Sequence, residues 1–286
     1  MFFSDLVIMT PFLYFFDLDG TIIGDISFQI YEWDMVQRFN PDKMIQFKKN
    51  ICTQLAAGLL RPGFATFLDF LKARHECEFF IYTASETKWA NFIVSCIETV
   101  TSIKFSRPLF TRTHCIVDGQ ENYRKSLKKV LPIAMRKLNI DPKENMHGKF
   151  LFIDNNRVIP RNEESRLVLC STYMYTDPTD IIKLLTEESL QNNQDAIYST
   201  MVRIGLFEKD SNLGSNSSNR NPLQLFKAAY YGVLTKFIKE NVRDDAIWTR
   251  DTFWTRLGNM IHQIPVHNTL KDSHVGLIND ALKRKS

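Results

Sequence analysis

Tyr14-Phe15-Phe16-Asp17-Leu18-Asp19-Gly20-Thr21, led in by Phe12 and Leu13, is an apolar run that stops abruptly at two carboxylates and a glycine. A near-continuous hydrophobic stretch of this length is the pattern of a parallel strand buried on both faces, and Gly20 permits the turn that must follow. Alternate strand residues share a face, but the backbone twists where a strand ends, so Asp17 and Asp19 at i and i+2 can converge on one small site.

Two further runs read the same way, Glu78 to Tyr82 and Lys149 to Ile153, and helical patterns lie between them. Pro62 to Arg74 sets Phe64, Phe67, Leu68 and Leu71 at helical spacing, with proline near its start. Further helices are expected over Glu86 to Thr99 and Tyr123 to Leu138. This alternation predicts an α/β fold, a Rossmann-like parallel sheet with helices on both faces and its ligand site at the carboxyl ends of the strands.

The chain has 286 residues, 44% hydrophobic and 24% charged, which excludes a largely disordered or low-complexity protein. Its net charge of +4 is concentrated beyond Arg220, where 11 basic and 6 acidic residues give 11 − 6 = +5. Those charges are interspersed along expected helices, so a solvated face is the simpler reading and nucleic-acid binding is not indicated. The five cysteines include no C-x-x-C pair, and the six histidines show no metal-ligand spacing. The apolar N-terminus, 12 of 16 residues, lacks a basic flank and is broken by Asp5 and Pro11. It reads as a strand with a leading segment rather than a signal or membrane span, and the protein is expected to be intracellular.

The Ser- and Asn-rich segment 209–222 reads as a linker between a main domain, 1–208, and a helical C-terminal region, 223–286. The expected helix Asp245 to Ile264 carries Trp248, Trp254, Leu257, Met260, Ile261 and Ile264 as a stripe suited to core packing or, less simply, to a protein partner.

Each strand of the trio ends in residues that suit phosphate chemistry. Asp17 and Asp19 follow the first, Thr83 and Ser85 offer hydroxyls after the second, and Asp154 and Asn155 offer oxygen ligands for a hard cation after the third. D-x-D-G-T, a hydroxyl, a lysine and an acidic motif in this order resemble the motif set of the haloacid dehalogenase superfamily of phosphohydrolases. Within it the chain resembles the FCP/SCP family, named for phosphatases of the RNA polymerase II C-terminal domain. The matching residues are Arg61-Pro62-Gly63 with Phe67-Leu68, Tyr82-Thr83-Ala84-Ser85, FTRTHC at 110–115, NYRK at 122–125 and Asp154-Asn155.

The resemblance implies that Asp17 is the nucleophile, that Asp19 is the general acid and base, and that Thr83, Ala84 and Lys125 hold the phosphoryl oxygens. It further implies Mg²⁺ held by Asp17, the Asp19 carbonyl and Asn155, with Asp154 beside them. Lys104, Lys128 and Lys129 are the alternatives to Lys125. Gly20 departs from the family, which commonly has Glu or Gln there. The spacings of 83 − 17 = 66 positions from Asp17 to Thr83 and 125 − 83 = 42 from Thr83 to Lys125 leave only Ile22 to Leu60 for a cap, a hairpin flap or two short helices. That minimal cap suits a phosphorylated protein better than a small metabolite. The expected function is Mg²⁺-dependent removal of phosphate from protein serine or threonine. A nucleic-acid end phosphatase or nucleotidase, and a scaffold built on the same fold, are the alternatives.

Overall fold

In the computed structural model the described residues are 10–117, 123–177, 180–193, 222–241, 250–264 and 270–283, with a few more between 195 and 202. They form two compact units. The first comprises the described parts of Met1–Gly24, Leu60–Tyr173 and Arg250–Ser286, and the second those of Asp25–Leu59 and Met174–Thr249.

The first unit is built on β1 (Phe12–Phe16), β2 (Cys77–Ile81), β5 (Phe150–Asp154) and β6 (Leu167–Leu169), all parallel in the order β2-β1-β5-β6. A separate antiparallel pair joins β3 (Ile116–Val117) to β4 (Tyr123–Arg124). The strand β1 is central, and its alternation divides the core. Leu13 and Phe15 join Phe80, Phe110, Phe152 and, from helix α5 (Leu127–Lys137), Val130 and Ala134. On the other face Phe16 packs edge-on against Phe64 of α3 (Phe64–Arg74), Phe79 and Trp254. Burial on both faces explains why β1 carries no polar residue until its end.

Two expected helices begin later than the periodicity suggests. Pro62 stands before α3, because Gly63 turns at φ +80° to start the helix at Phe64. Tyr123 and Arg124 pair as a strand with Val117 and Ile116, and Ser126 at φ −129° opens α5 at Leu127. The helix α4 runs over Thr87–Thr101, and the short edge strand β6 was not anticipated.

The described part of the C-terminal region is helical, over Pro222–Asn241, Phe253–Gln263 and Asp272–Lys283. The described residues from Arg250 on belong to the first unit, where helix Phe253–Gln263 buries Trp254, Leu257 and Ile261, with Trp254 against Phe16, Phe64 and Phe67. The following helix, Asp272–Lys283, lies along the sheet edge, where the Asn279 amide donates to Leu167 O and accepts from Leu169 N–H. A strand edge would otherwise present those groups unpaired. Trp248 and linker positions 209–221 lie outside the described residues.

The second unit holds α1 (Ser27–Phe39) and α2 (Met44–Gln54), the two-helix form of the Ile22 to Leu60 segment, with helices Glu187–Asn192 and Pro222–Asn241. Gln29 and Gln54 both donate to Asp177 O at 2.6 Å, and Asn40 donates to Leu184 O. These bonds tie Asp177 and Leu184 to α1 and α2 within this unit. Among the described residues no helix is long and apolar enough to cross a membrane.

Candidate active site

Parallel register places the three motif ends level. Phe16 is opposite both Ile81 and Ile153, the Asp17 N–H donates to Ile153 O, and the Tyr82 N–H donates to Phe16 O. Asp17, Thr83 and Asp154 therefore emerge at one end of the sheet.

Lys125 bridges the two carboxylates. Its ammonium donates to Asp17 Oδ1 and, at 2.7 Å, to Asp154 Oδ2, and all three side chains are buried. Burial disfavours the lysine's charge, but the two carboxylates more than reverse this and hold Lys125 above its ordinary value. Burial raises Asp154, and the neighbouring Asp17 charge raises it further, against the pull of Lys125 and the Asn156 N–H. The other lysines do not reach this pair: Lys104 pairs with Glu98, Lys129 donates to Cys115 O, and Lys128 is exposed on α5.

The position of Lys125 is fixed by the residues after it. Glu163 accepts from the Ser126 hydroxyl and from the N–H groups of Leu127 and Lys128, so it caps α5 from the distant 3-10 helix Arg161–Arg166. The Tyr82 hydroxyl accepts from Ser126 N–H and donates to His114 O. Glu163 carries no local motif that would have marked it in the sequence, and Tyr82 was marked only as the first residue of the Tyr82–Ser85 motif, without these bonds.

Beyond β1, Leu18 O accepts from the N–H groups of Thr21, Ile22 and Ile23, which closes a tight turn at Gly20 with φ +73°. A Cβ on Gly20 would lie 2.7 Å from Asn155 Nδ2 and 2.9 Å from Thr172 Cγ2. A side chain at this position would therefore be crowded in this chain. Asp19 is directed to Ser85, whose hydroxyl donates to Oδ2 at 2.7 Å, while the Thr83 hydroxyl accepts from Ser85 N–H and Ala84 O accepts from Arg112.

Thr21, quoted only as part of the motif, links the two acidic loops. Its hydroxyl lies 3.4 Å from Asp17 Oδ2 and 3.2 Å from Asn155 Oδ1 and accepts from the Asn155 N–H. Among the described residues no three His, Cys, Asp or Glu side chains form a metal cluster. The donors that suit a cation here are of another make: the Asp17 carboxylate and the Asn155 amide oxygen converge on the same hydroxyl. This all-oxygen set fits a hard ion such as Mg²⁺.

Fold and site together define an α/β protein with a lysine-bridged carboxylate pair at the carboxyl ends of parallel strands. The chain belongs to the NLI interacting factor-like phosphatase family, whose profile matches residues 13–195. It is also similar to the structure of Fcp1, an essential RNA polymerase II CTD phosphatase, at 17% identity and a TM-score of 0.38, over 96% of this chain and 71% of that one. A fission yeast Fcp1 variant bound to beryllium fluoride gives 17% identity and a TM-score of 0.39 over the same shares. No curated protein matches.

Proposed function

We propose that the chain is a Mg²⁺-dependent phosphatase that removes phosphate from serine or threonine side chains of a protein. The observation that carries this reading is the Asp17–Lys125–Asp154 group at the sheet's carboxyl end, with Asp19 held by Ser85 beside it.

Asp17 attacks phosphorus, a bond forms from its carboxylate oxygen, and the bond to the serine or threonine oxygen breaks. Asp19 delivers a proton to that oxygen, then takes one from the water that attacks the aspartyl-phosphate, and inorganic phosphate leaves with Asp17 restored. Lys125, the Thr83 hydroxyl and the backbone at Ala84 hold the phosphoryl oxygens, where fixed donors supply most of the stabilisation. Mg²⁺ held by Asp17, Asn155 and the Asp19 carbonyl, with Asp154 alongside, would offset the charge of phosphate against two carboxylates.

The protein substrate is supported by the family match, by the FCP/SCP-like motifs and by the surface that leads into Lys125. Ile116, Val117 and Tyr123 are exposed on the β3–β4 pair, and Tyr123 stands two residues before Lys125. Exposed apolar side chains of this kind suit an extended polypeptide better than a small polar metabolite. The test is hydrolysis of a phosphoserine and phosphothreonine peptide panel beside a 3′-phosphorylated oligonucleotide, with and without Mg²⁺. Metal-dependent turnover of the peptides is expected, and turnover of the oligonucleotide alone would overturn the substrate assignment.

A further inference from the structure

Arg61 is a completely buried guanidinium whose countercharge comes from the far end of the chain. Its Nε donates to Asp251 Oδ1 at 3.0 Å and its Nη2 to Asp251 Oδ2 at 2.8 Å, a bidentate pair, and the Phe253 ring lies 4.5 Å away. The same guanidinium donates to Ser171 O at 3.0 Å and to the Ser171 hydroxyl at 3.1 Å. An isolated buried charge is strongly unfavourable, so Arg61 needs Asp251 if it is to stay buried and hold Ser171.

The segment held in this way is the one that lies against the acidic loops. The Cys170 thiol, which burial pushes up to about 12 and so keeps protonated, donates to the Thr21 hydroxyl. The Thr172 hydroxyl accepts from Asn155 Nδ2 at 3.2 Å, and the Tyr173 N–H donates to Gly20 O at 2.8 Å. Each residue from 170 to 173 thus either touches the loops that carry Asp17 and Asn155 or is gripped by Arg61.

We infer that Asp251, outside the family-matched span, is a positioning residue for the cation site: through Arg61 it holds residues 170–173 against Thr21 and Asn155 and so sets the orientation of the Asn155 amide oxygen. This rests on the proposed phosphatase reading, which supplies the role of Asn155. It also gives the C-terminal segment a part in the site.

The test uses the full chain with Asp251→Asn, Asp251→Glu and, as a variant tolerant of folding because its side chain is exposed, Thr172→Val. Mg²⁺ binding is read directly by titration calorimetry and by the Mg²⁺-induced rise in Tm, alongside hydrolysis of p-nitrophenyl phosphate over a range of Mg²⁺. Loss of a partner that orients a ligand weakens metal binding about tenfold or more. That weakening is expected for Asp251→Asn and Thr172→Val, with activity largely recovered at saturating Mg²⁺ and with Asp251→Glu closer to the parent. Folded Asp251→Asn and Thr172→Val proteins that bind Mg²⁺ as the parent does would overturn the inference. If Asp251→Asn does not fold, Thr172→Val alone decides, since parent-like binding there breaks the route to Asn155. A parent chain that neither binds Mg²⁺ nor hydrolyses phosphate would overturn the proposed function, and this inference with it.

Discussion

Gly20→Ala is the change whose consequence follows most directly from the geometry. The residue sits at φ +73°, where a side chain is disfavoured by about 1–2 kcal/mol. The added methyl would also lie 2.7 Å from Asn155 Nδ2 and 2.9 Å from Thr172 Cγ2, so both must move. Crowding of a packed site adds about 1–3 kcal/mol, which brings the total to about 3 kcal/mol. For a unit of this size each kcal/mol corresponds to about 2–4 °C in Tm, and the expected fall is about 10 °C. Asn155 is the first group displaced, so Mg²⁺ should bind about tenfold more weakly as well. Gly276→Ala is the control: it lies within a helix, nothing is within 4 Å of its added methyl, and it should stabilise by about 0.5–1 kcal/mol. The assay is thermal unfolding by circular dichroism with a Mg²⁺ titration of each variant. A Gly20→Ala protein with the parent's Tm and Mg²⁺ affinity would refute the reasoning.

Lys125→Met leaves the Asp17 and Asp154 carboxylates facing each other without their cation, and a loss of about 3–5 kcal/mol in denaturant unfolding is expected, together with hydrolysis at least about a hundredfold slower. Trp254→Ala removes a side chain packed on Phe16, Phe64 and Phe67 and should cost about 3–5 kcal/mol; a chain ending at Lys209, which lacks it and Asp251, should not fold stably, as limited proteolysis would show. Glu98 is pushed up by burial, but Phe105 N–H, Arg107 and Lys104 more than offset this, so its carboxyl titrates below the usual range. A depressed carboxyl contributes stability above its unfolded value and loses it as pH falls through the folded one, so Glu98→Gln should flatten the acid limb of stability against pH below about 4.5, measured by urea unfolding.

The strands and the gathering of their polar ends were legible because burial on both faces writes itself as uninterrupted hydrophobicity, and because Asp17, Thr83 and Asp154 follow each run within two residues. Lys125 was favoured by the NYRK stretch among four lysines in one region, but its contact with Asp17 depends on the chain path between β4 and α5, which no local pattern gives. The Trp254 stripe was visible as a core surface, but periodicity does not name the partner face, and its neighbours lie some 190 residues away in α3. For the same reason the bonds of Glu163 and Tyr82 to Ser126 and the pairing of Arg61 with Asp251 were not legible, although Tyr82 and Arg61 stood in quoted motifs: these contacts join distant residues with no local spacing. The expected boundary rests on composition at 209–222, of which 209–221 lie outside the described residues, whereas the bonds of Gln29 and Gln54 to Asp177 inside the second unit leave no local mark in the sequence.

The most direct test of the central claim is to follow phosphoryl transfer from a radiolabelled phosphoserine peptide to the protein in the presence of Mg²⁺, with acid quench and peptide mapping, for the parent chain and Asp17→Asn. The account predicts label on the peptide that contains Asp17 in the parent, and neither label nor turnover in an Asp17→Asn protein of unchanged fold. Full Mg²⁺-dependent hydrolysis by Asp17→Asn, or label mapped to another residue, would contradict it.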